Sequence, residues 1–379
     1  GSLGSAVITN QATGAYTYTP NPDTDGTDSF TFRANDGKAD SNTATVAVTI
    51  NRINQPPDAT GNCSTTPQTE ILSGTLGATD PDADPLMYNL NFDGSGGLGP
   101  IFTAKGGTVT ITDQTSGAFT YEPNSFAGDT RGLDSFEFQV SDPNGRVDSA
   151  TETIIIDQKI MPLGDSITQG SVCITEVDGV CDFGAPEDRA GYRKPLYNTL
   201  ITSGYTFDFV GTLDQGSAVL VDFDHEGHGG WTAFDIAWGR NPGTDGVFLW
   251  LDSNPADIIL LHIGTNGLSN TDETDIDDIL NEIDRWENSA DGNPVTVILA
   301  RIIDRESKDN AAVATFNDAV EAMAISRIAA GDDIIIVDQQ QAVNYDTEMS
   351  DVVHPTDNGY AKMATVWFNA LENELDKCP

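Results

Sequence analysis

Alternation of apolar and polar residues with a period of two marks two stretches in the first part of the chain. Residues 5–51 contain AVITNQATGAYTYTP and DSFTFRANDGKADSNTATVAVTI, and residues 107–157 contain GTVTITDQTSGAFTYEP and DSFEFQVSDPNGRVDSATETIIID. The two stretches resemble each other, are rich in Thr, Val and aromatic residues, and break at Gly, Asn, Asp and Pro. This pattern predicts the antiparallel strands of tandem β-sandwich domains.

The pattern changes at Lys159, where longer apolar runs begin to alternate with stretches of helical character. The runs IMPLG, FDFVG, DIILLHIG, VTVILARI and DIIIVDQ predict five buried parallel strands. Helices are predicted near residues 192–203, 231–240, 272–288, 310–330 and 355–375. Strands that alternate with helices predict a three-layer, flavodoxin-like α/β domain with a five-stranded parallel sheet, whose functional groups lie at the carboxyl ends of the strands.

The two β-rich stretches resemble the cadherin-like and Ig-like tandem repeats of bacterial surface and secreted proteins. We therefore predict a multidomain chain with a partial β-repeat at residues 1–52, a β-sandwich at 53–157 and the α/β domain at 158–379. The first repeat is partial because nothing in it corresponds to residues 53–106. Paired prolines in NRINQPPDAT, residues 51–60, predict an extended and semi-rigid linker between the repeats.

Acidic residues greatly outnumber basic ones: Asp and Glu total 59 against 18 Lys and Arg, which gives a formal net charge of −41. This charge repels phosphate backbones and argues against nucleic acid as a partner. The sequence holds no apolar run long enough to predict a membrane span. These features do not predict an oligomeric state.

The four cysteines contain no C-x-x-C pair, which argues against a zinc or thioredoxin-like site. Cys173 and Cys181 bracket a short loop containing Gly and acidic residues, and a local disulfide is predicted there for an extracytoplasmic protein. Whether Cys63 and Cys378 are free or paired stays open at this point.

Candidate catalytic residues follow the first strand of the α/β domain and precede its last helix. That strand runs directly into Asp165-Ser166, where a parallel sheet presents its active-site loop. Ser166 is a candidate nucleophile, and the alternative is an ordinary helix N-cap or turn serine. The spacing of Asp351 and His354 lets both side chains point the same way, as a carboxylate and the general base that it orients. The alternative for this pair is an acidic turn with a surface histidine.

Two further strand ends carry groups that suit an oxyanion hole. Asn266 follows DIILLHIG and offers a side-chain amide, whereas Gly230 in HEGHGGWT lets a backbone N–H approach a substrate. With the backbone N–H of Ser166 they form a predicted three-donor oxyanion hole. Each motif is weak alone, and their order at successive strand ends supports the hypothesis of acyl-transfer chemistry.

This set of motifs resembles the SGNH (GDSL-type) hydrolase superfamily, whose four blocks are matched by Ser166, Gly230, Asn266 and the Asp351/His354 pair. The resemblance covers residues 159–376 and is closest to carbohydrate esterase family three, typically acetylxylan esterases. It is carried by the passages IMPLGDSITQG, GYRKPLYNTLITSGY, DFVGTL, HEGHGGWT and HPTDNGYAKMATVWFNAL.

The resemblance implies a secreted or cell-surface bacterial serine esterase that removes short acyl groups, mainly acetyl, from an acetylated polysaccharide such as xylan. It implies that catalysis requires no metal or organic cofactor. One departure is Gly267, which follows Asn266 where the family commonly has Asp. The departure leaves the Asn266 donor in place but removes a neighbouring carboxylate.

Two alternatives come from different functional classes. One is a lipolytic or aryl esterase on the same scaffold. The other is a surface adhesion or carbohydrate-binding protein with an inactive hydrolase domain. The second is disfavoured because a decayed enzyme is expected to lose at least one of its catalytic or oxyanion residues, and all of these are present.

Aromatic residues beside the predicted oxyanion loop are candidates for substrate binding. Trp231 is a candidate sugar-stacking surface, and the alternative is a core Trp that opens an amphipathic helix. His228, and with it His225, is expected either to line the substrate pocket or to make a structural hydrogen bond. His262 lies within the apolar run IILLHIG and is expected to be a satisfied core histidine.

Clusters of carboxylates in the second repeat are candidate calcium ligands, because calcium prefers several oxygen ligands. Asp80, Asp82 and Asp84 alternate along the chain, and Asp142 and Asp148 form a second group. Neither group matches a complete EF-hand loop, so calcium is predicted at most as a structural ion, and a solvated acidic surface is the alternative.

Overall fold

The protein is described by a computed structural model that covers residues 1–22, 24–90, 97–124, 132–177, 180–241, 245–268, 272–307 and 310–378. The chain forms two compact units. The first unit comprises Gly1–Ala59, Ala78–Met87 and Val140–Asp148. The second unit comprises Thr60–Gly77, Tyr88–Gln139 and Ser149–Pro379.

The first repeat consists of two antiparallel hairpins, and its predicted strands are confirmed. The strands are β1 (Gly4–Asn10), β2 (Ala15–Pro20), β3 (Gly26–Phe32) and β4 (Ala44–Ile50), with β1 paired to β2 and β3 paired to β4. The ring of Tyr16 packs edge-on against that of Phe30 at 5.0 Å. Val7 and Ile8 nevertheless remain 62% and 53% exposed, so the apolar side chains of these hairpins are only partly covered.

The second repeat forms the predicted sandwich of short strands. One four-stranded sheet has the order β10-β11-β12-β7 and the other has the order β6-β14-β13-β9. The strands are β5 (Asp58–Thr60), β6 (Cys63–Thr66), β7 (Leu72–Thr75), β8 (Gly77–Thr79), β9 (Met87–Asn89), β10 (Ile101–Phe102), β11 (Thr108–Asp113), β12 (Ala118–Glu122), β13 (Gly132–Ser141) and β14 (Val147–Ile156). Alternate side chains of β11 and β12 are buried, as the period of two predicts for a sheet with one face in the core.

The α/β domain is built on a parallel sheet with the strand order β18-β15-β20-β21-β22. These five strands are the predicted ones, and a sixth of only two residues, β19, pairs with the end of β15. The strands of the domain are β15 (Gln158–Gly164), β16 (Thr175–Val177), β17 (Val180–Asp182), β18 (Phe207–Phe209), β19 (Glu226–Gly227), β20 (Ile258–His262), β21 (Thr296–Arg301) and β22 (Ile334–Asp338). Strands β16 and β17 form a separate antiparallel hairpin.

All five predicted helices are present, together with three short ones that the periodicity did not predict. The helices are α1 (Ser166–Gln169), α2 (Arg193–Thr202), α3 (Ala233–Trp238), α4 (Val247–Ser253), α5 (Glu273–Glu287), α6 (Ala311–Ala330), α7 (Tyr345–Glu348) and α8 (Asp357–Leu371), with a 3₁₀ turn at Pro186–Asp188. The unpredicted helices α1, α4 and α7 span four to seven residues, which is too short for an amphipathic period to be recognised.

Helices cover both faces of the sheet, as the fully apolar strands predict. Alternate residues of β20 point to opposite sides: Ile259 and Leu261 pack in one core cluster, and Ile258 and Leu260 in the other. The first cluster contains side chains of α3, α4, α5 and α6, and the second contains those of α2 and α8. This three-layer arrangement confirms the predicted fold class and leaves the carboxyl ends of the strands at one edge of the domain.

Two disulfides involve all four cysteines. Cys173 is bonded to Cys181, as predicted, and Cys63 is bonded to Cys378, which the sequence had left open. The second bond ties strand β6 to the C-terminal end of the α/β domain across a separation of 315 residues. None of the helices in the described ranges is both long and apolar enough to cross a membrane.

Candidate active site

Ser166 is the first residue of α1, directly after β15. The Asp165 carboxylate accepts a hydrogen bond from the backbone N–H of Ile167 at 3.0 Å and so caps the helix. Gly170 ends the helix at a φ of +92°, where an added Cβ would lie 2.2 Å from the backbone nitrogen of Gly191. Ser166 is therefore held on a short, tightly bounded turn of helix.

Asp351 and His354 share the turn that precedes α8. One oxygen of Asp351, Oδ1, accepts hydrogen bonds from the backbone N–H groups of Val353 at 2.7 Å and His354 at 2.6 Å. The other oxygen, Oδ2, lies 2.8 Å from Nδ1 of the His354 ring. The turn thus realises the predicted spacing of three residues, with both side chains on one side.

The structure brings Ser166, His354 and Asp351 into one hydrogen-bonded chain. Oγ of Ser166 lies 2.8 Å from Nε2 of His354, and Nδ1 of the same ring lies 2.8 Å from Asp351. An ionised carboxylate only accepts hydrogen bonds, so Nδ1 must carry the proton that is donated to Asp351. In the neutral ring, Nε2 is then the acceptor for the Ser166 hydroxyl.

Hydrogen bonds determine the charge state of Asp351. Burial acts to raise the pKa of this carboxyl, whereas the hydrogen bonds from the His354 side chain and from the backbone of His354 and Val353 lower it. The hydrogen bonds prevail, and the pKa lies below its ordinary value. Asp351 is accordingly an anion at neutral pH, the form that stabilises a neighbouring imidazolium.

The predicted oxyanion residues lie beyond the ends of neighbouring strands. Gly164, at the end of β15, pairs with Gly227 of β19 on one side and with His262 of β20 on the other. Because these strands are parallel, the segments that follow them all leave the same edge of the sheet. Gly230 follows β19 and Asn266 follows β20, so both belong to segments that leave the same edge of the sheet as Ser166, and their joint role as oxyanion donors stays a prediction.

Positive φ angles favour glycine at two positions of these segments. Gly230 has a φ of +76° and is exposed, with open space where a Cβ would stand. Gly267, the departure from the family pattern, has a φ of +69°. Glycine enters this left-handed region without the steric cost that a side chain adds, which accounts for its presence after Asn266.

Asn266 and Arg240 hold the Gly230 segment. The side-chain amide of Asn266 donates to the carbonyl oxygen of Trp231 at 2.9 Å. The guanidinium of Arg240 donates to the carbonyl oxygen of Gly230, pairs with Asp235 at 3.5 Å and lies 5.8 Å from the centre of the Trp231 ring. Nothing in the local sequence pattern around Arg240 indicates this role.

His228 and Trp231, the predicted substrate-binding residues, form a stack with Trp250. The His228 ring lies 4.3 Å from that of Trp231 and 4.4 Å from that of Trp250, and its Nε2 lies 2.8 Å from the buried carboxylate of Glu226. Only 12% of the His228 side chain is exposed. Of the two expected roles, His228 therefore has the structural one, a hydrogen bond within the protein. Trp231 is only partly buried against the core, so both interpretations of its role remain open.

His225 and His262 are buried histidines whose charged form is disfavoured. Nδ1 of His225 accepts from the backbone N–H of Gly227 at 2.8 Å, which is a structural hydrogen bond. Burial lowers the pKa of His225 well below its usual value and lowers the pKa of His262 to about 4. The expected core position of His262 is confirmed, but its expected hydrogen bonds are not: within the described part of the chain neither ring nitrogen has a partner.

Arg193 is a buried positioning residue that the sequence analysis did not identify. It is fully buried and donates to backbone carbonyl oxygens at 2.6–3.1 Å, which belong to Thr168, Gln169, Arg189, Gln215 and Phe223. Burial lowers the pKa of Arg193 to about 10, so the side chain stays protonated at neutral pH. It thereby ties the end of α1 to three neighbouring loops, although an Arg at a helix start carries no recognisable signal of this role.

The predicted calcium ligands lie in the first compact unit. Carboxylate oxygens of Asp80, Asp82 and Asp84 lie within 4.8 Å of one another. The Arg52 guanidinium contacts Asp82 at 2.7 Å, and Oδ1 of Asp80 accepts the backbone N–H of Asp82 at 2.7 Å. These carboxylate oxygens suit a hard cation, but the Arg52 guanidinium and a backbone N–H already bind some of them. Calcium binding here stays a prediction.

Asp142 and Asp148 are likewise engaged by protein groups. Asp142 accepts the side-chain amide of Asn54 and backbone N–H groups of its own turn, and Asp148 accepts the backbone N–H of Ala59 at 2.9 Å. These bonds give both carboxylates a structural role within the first unit.

Similarity to known proteins is found for both the β-rich and the α/β parts of the chain. The family model described as bacterial Ig domain matches residues 1–49 and 54–155. A multidomain esterase of Ruminococcus flavefaciens is 29% identical over 250 residues, which cover 61% of this chain and 30% of that protein. The chain thus spans less than a third of the length of this curated relative.

Two solved structures are similar to more than half of this chain. The family 3 carbohydrate esterase of Clostridium thermocellum has 27% identity and a TM-score of 0.44, covering 56% of this chain and 94% of its own. A family 3 carbohydrate esterase from Talaromyces cellulolyticus has 25% identity and a TM-score of 0.44, covering 57% and 97%. The family model described as GDSL-like Lipase/Acylhydrolase matches residues 160–367, more than half of the chain. The chain therefore belongs to the GDSL-like lipase/acylhydrolase family.

Proposed function

We propose that this chain is a serine esterase that removes short acyl groups, mainly acetyl, from carbohydrate, with acetylated xylan as the first substrate to test. The main supporting observation is the hydrogen-bonded chain from Ser166 through His354 to Asp351. Both the Oγ–Nε2 distance and the Nδ1–Oδ2 distance are 2.8 Å. Membership of the lipase/acylhydrolase family supports ester chemistry. The carbohydrate substrate is suggested by the names of the similar proteins and is an analogy.

The reaction begins at the Ser166 hydroxyl. His354 Nε2 takes the hydroxyl proton while Oγ attacks the ester carbonyl, and the negative charge that develops on the carbonyl oxygen is held by N–H donors of Ser166, Gly230 and Asn266. The tetrahedral intermediate collapses, the bond to the sugar oxygen breaks, and His354 returns its proton to that oxygen. Asp351 stabilises the imidazolium in between.

Water completes the cycle. His354 again takes a proton, this time from a water molecule that attacks the acyl-enzyme, and returns it to Ser166 as the carboxylic acid leaves. Neither step uses a metal or an organic cofactor. Any calcium bound at Asp80, Asp82 and Asp84 belongs to the other compact unit and has only a structural role in this proposal.

An extracytoplasmic location is part of the proposal. Two disulfides that use all four cysteines are typical of proteins from oxidising compartments. The match to the bacterial Ig domain is in keeping with a secreted or cell-surface protein, in which the β-repeats act as spacers or binding modules.

Acetate release from acetylated xylan by the intact chain and by Ser166→Ala tests the proposal. We expect release by the wild type, loss of activity in Ser166→Ala, and full activity in the matched control Ser326→Ala, which alters an exposed serine of α6. Cleavage of p-nitrophenyl acetate without acetate release would retain the ester chemistry and reject xylan. Preference for octanoyl over acetyl esters would favour a lipolytic enzyme, and inactivity on every ester would favour the binding-protein alternative.

A further inference from the structure

The hairpin formed by β16 and β17 lies against the turn that carries Asp351 and His354. Its base is closed by the Cys173–Cys181 disulfide. The backbone N–H of Cys173 donates to Oγ of Ser350 at 3.0 Å, and this hydroxyl donates in turn to the carbonyl oxygen of His354 at 3.0 Å. One end of the disulfide is thereby connected to the backbone of the histidine through a single side chain.

The other end of the disulfide touches the carboxylate itself. Sγ of Cys181 lies 3.3 Å from Oδ2 of Asp351, the oxygen that accepts the His354 ring proton. A disulfide sulfur carries no proton, so it cannot compete with the histidine as a donor to this oxygen. It does occupy space that water would otherwise fill, and the Asp351 side chain is only 9% exposed. Exclusion of water strengthens the remaining hydrogen bond and the electrostatic attraction to an imidazolium.

The segment that follows β17 contacts the histidine ring. The Phe183 ring packs edge-on against the His354 ring at 4.8 Å. Arg189 fixes this segment by donating to the carbonyl oxygens of Phe183 at 3.3 Å and Gly184 at 2.9 Å. The disulfide and the segment after β17 therefore reach the acid–base pair at the His354 backbone through Ser350, at the Asp351 carboxylate and at the imidazole ring.

We propose that the Cys173–Cys181 disulfide is a positioning group for the Asp351–His354 pair, so that full esterase activity requires this bond in its oxidised state. The inference rests on the proposed function, because it assigns the pair its catalytic role. The disulfide contacts Asp351 directly and the His354 backbone through Ser350. It acts by holding the orientation of the ring and by shielding the carboxylate from water.

Loss of the bond is expected to affect the chemical step more than binding. Displacements of about 1 Å in a catalytic group can lower a rate about 100-fold, whereas the surface that binds the substrate is left in place. We therefore expect kcat to fall about 10- to 100-fold and KM to change less than about threefold. Ser350→Ala, which breaks only the link to the His354 backbone, is expected to lower kcat by a smaller factor.

The second disulfide supplies a matched control. Cys173→Ala/Cys181→Ala is compared with Cys63→Ala/Cys378→Ala, using kcat and KM for p-nitrophenyl acetate together with the thermal unfolding midpoint. Only the first variant is expected to lose kcat. The control keeps Cys173–Cys181 as its single disulfide, so tris(2-carboxyethyl)phosphine should lower its kcat and reoxidation by glutathione disulfide should restore it.

A second experiment uses the wild type and does not depend on the stability of Cys63→Ala/Cys378→Ala. The phosphine reduces Cys63–Cys378 equally in the wild type and in Cys173→Ala/Cys181→Ala, so a further loss of kcat confined to the wild type supports the proposal. Unchanged kcat in the folded Cys173→Ala/Cys181→Ala variant, or an equal loss in both double variants, would overturn it. A wild type that hydrolyses no ester in its oxidised state would instead overturn the proposed function, and the inference with it.

Discussion

Nε2 of His354 lies 2.8 Å from Oγ of Ser166, although 188 residues separate the two along the chain. Ser166 opens the helix after β15, and His354 stands on the turn before α8. The sheet brings them together because β15 lies between β18 and β20, and side chains of α8 pack in the same core cluster as Ile160 of β15. Asp165 caps the helix that Ser166 opens, and hydrogen bonds to Asp351 within its own turn hold His354.

Replacing the Asp351 carboxylate is expected to disable the base without unfolding the turn. Asp351→Asn keeps an oxygen for the backbone N–H groups of Val353 and His354, but its amide donates to Nδ1 and leaves Nε2 protonated. A protonated Nε2 cannot accept the Ser166 proton. We expect kcat on p-nitrophenyl acetate to fall about 10³- to 10⁴-fold with little change in KM.

The matched control for this substitution is Asp318→Asn, which makes the same chemical change at a side chain that is 73% exposed on α6. It should retain wild-type kcat. A loss of less than about tenfold in Asp351→Asn would show that Asp351 does not orient the catalytic histidine.

Asn266 is expected to act on the transition state. Asn266→Ala removes an amide donor, which typically costs about 10²- to 10³-fold in kcat, and KM should change little because the donor serves the oxyanion rather than the ester carbonyl. The variant also loses the hydrogen bond to the Trp231 carbonyl oxygen. Steady-state kinetics beside Asn369→Ala, at an exposed position of α8, provide the measurement. A change confined to KM would assign Asn266 to substrate binding instead.

Asp165 is expected to make stability depend on pH. Burial raises the pKa of this carboxyl from 3.8 to about 6, so between these values the folded state holds a proton that the unfolded state has lost. The free energy of unfolding must therefore decrease as pH rises through this window, by about 3 kcal/mol in all. Asp165→Asn keeps an oxygen to cap α1 and removes the ionisation.

Urea unfolding of the wild type and Asp165→Asn at pH 4 and pH 8 measures this contribution. Other acids with a raised pKa, such as Asp222 at about 7, are shared by both proteins and cancel in the comparison. The wild type should lose about 2 kcal/mol more than the variant over this range. Equal losses would mean that Asp165 does not titrate as described.

The calcium prediction is open to a direct test on the intact chain. If Asp80, Asp82 and Asp84 bind calcium, the ion should stabilise the folded first unit by mass action. The thermal unfolding midpoint of this unit should then rise when calcium is added and fall when EDTA is added. Asp84→Asn should remove the effect, and magnesium serves as the control ion. A thermal unfolding midpoint that does not change with calcium would contradict the prediction and leave these carboxylates as partners of Arg52 and of the local backbone.

Local pattern alone predicted the fold class and most of the secondary structure. The period of two in residues 107–157 indicates strands with one buried face. The apolar runs after Lys159 indicate strands buried on both faces. The helix α4 was missed because its VFLWL segment is apolar on all sides and too short to show a period. The two-residue strand β19 has no pattern at all.

The candidate catalytic residues could be identified from the sequence, because strand ends and a spacing of three residues are local features. The pairing of Cys63 with Cys378, the burial of Arg193 and the contact between Cys181 and Asp351 became visible only in the folded chain. These relationships join segments far apart in the chain. They depend on which faces and loops the fold brings together, and no local pattern of residues records that.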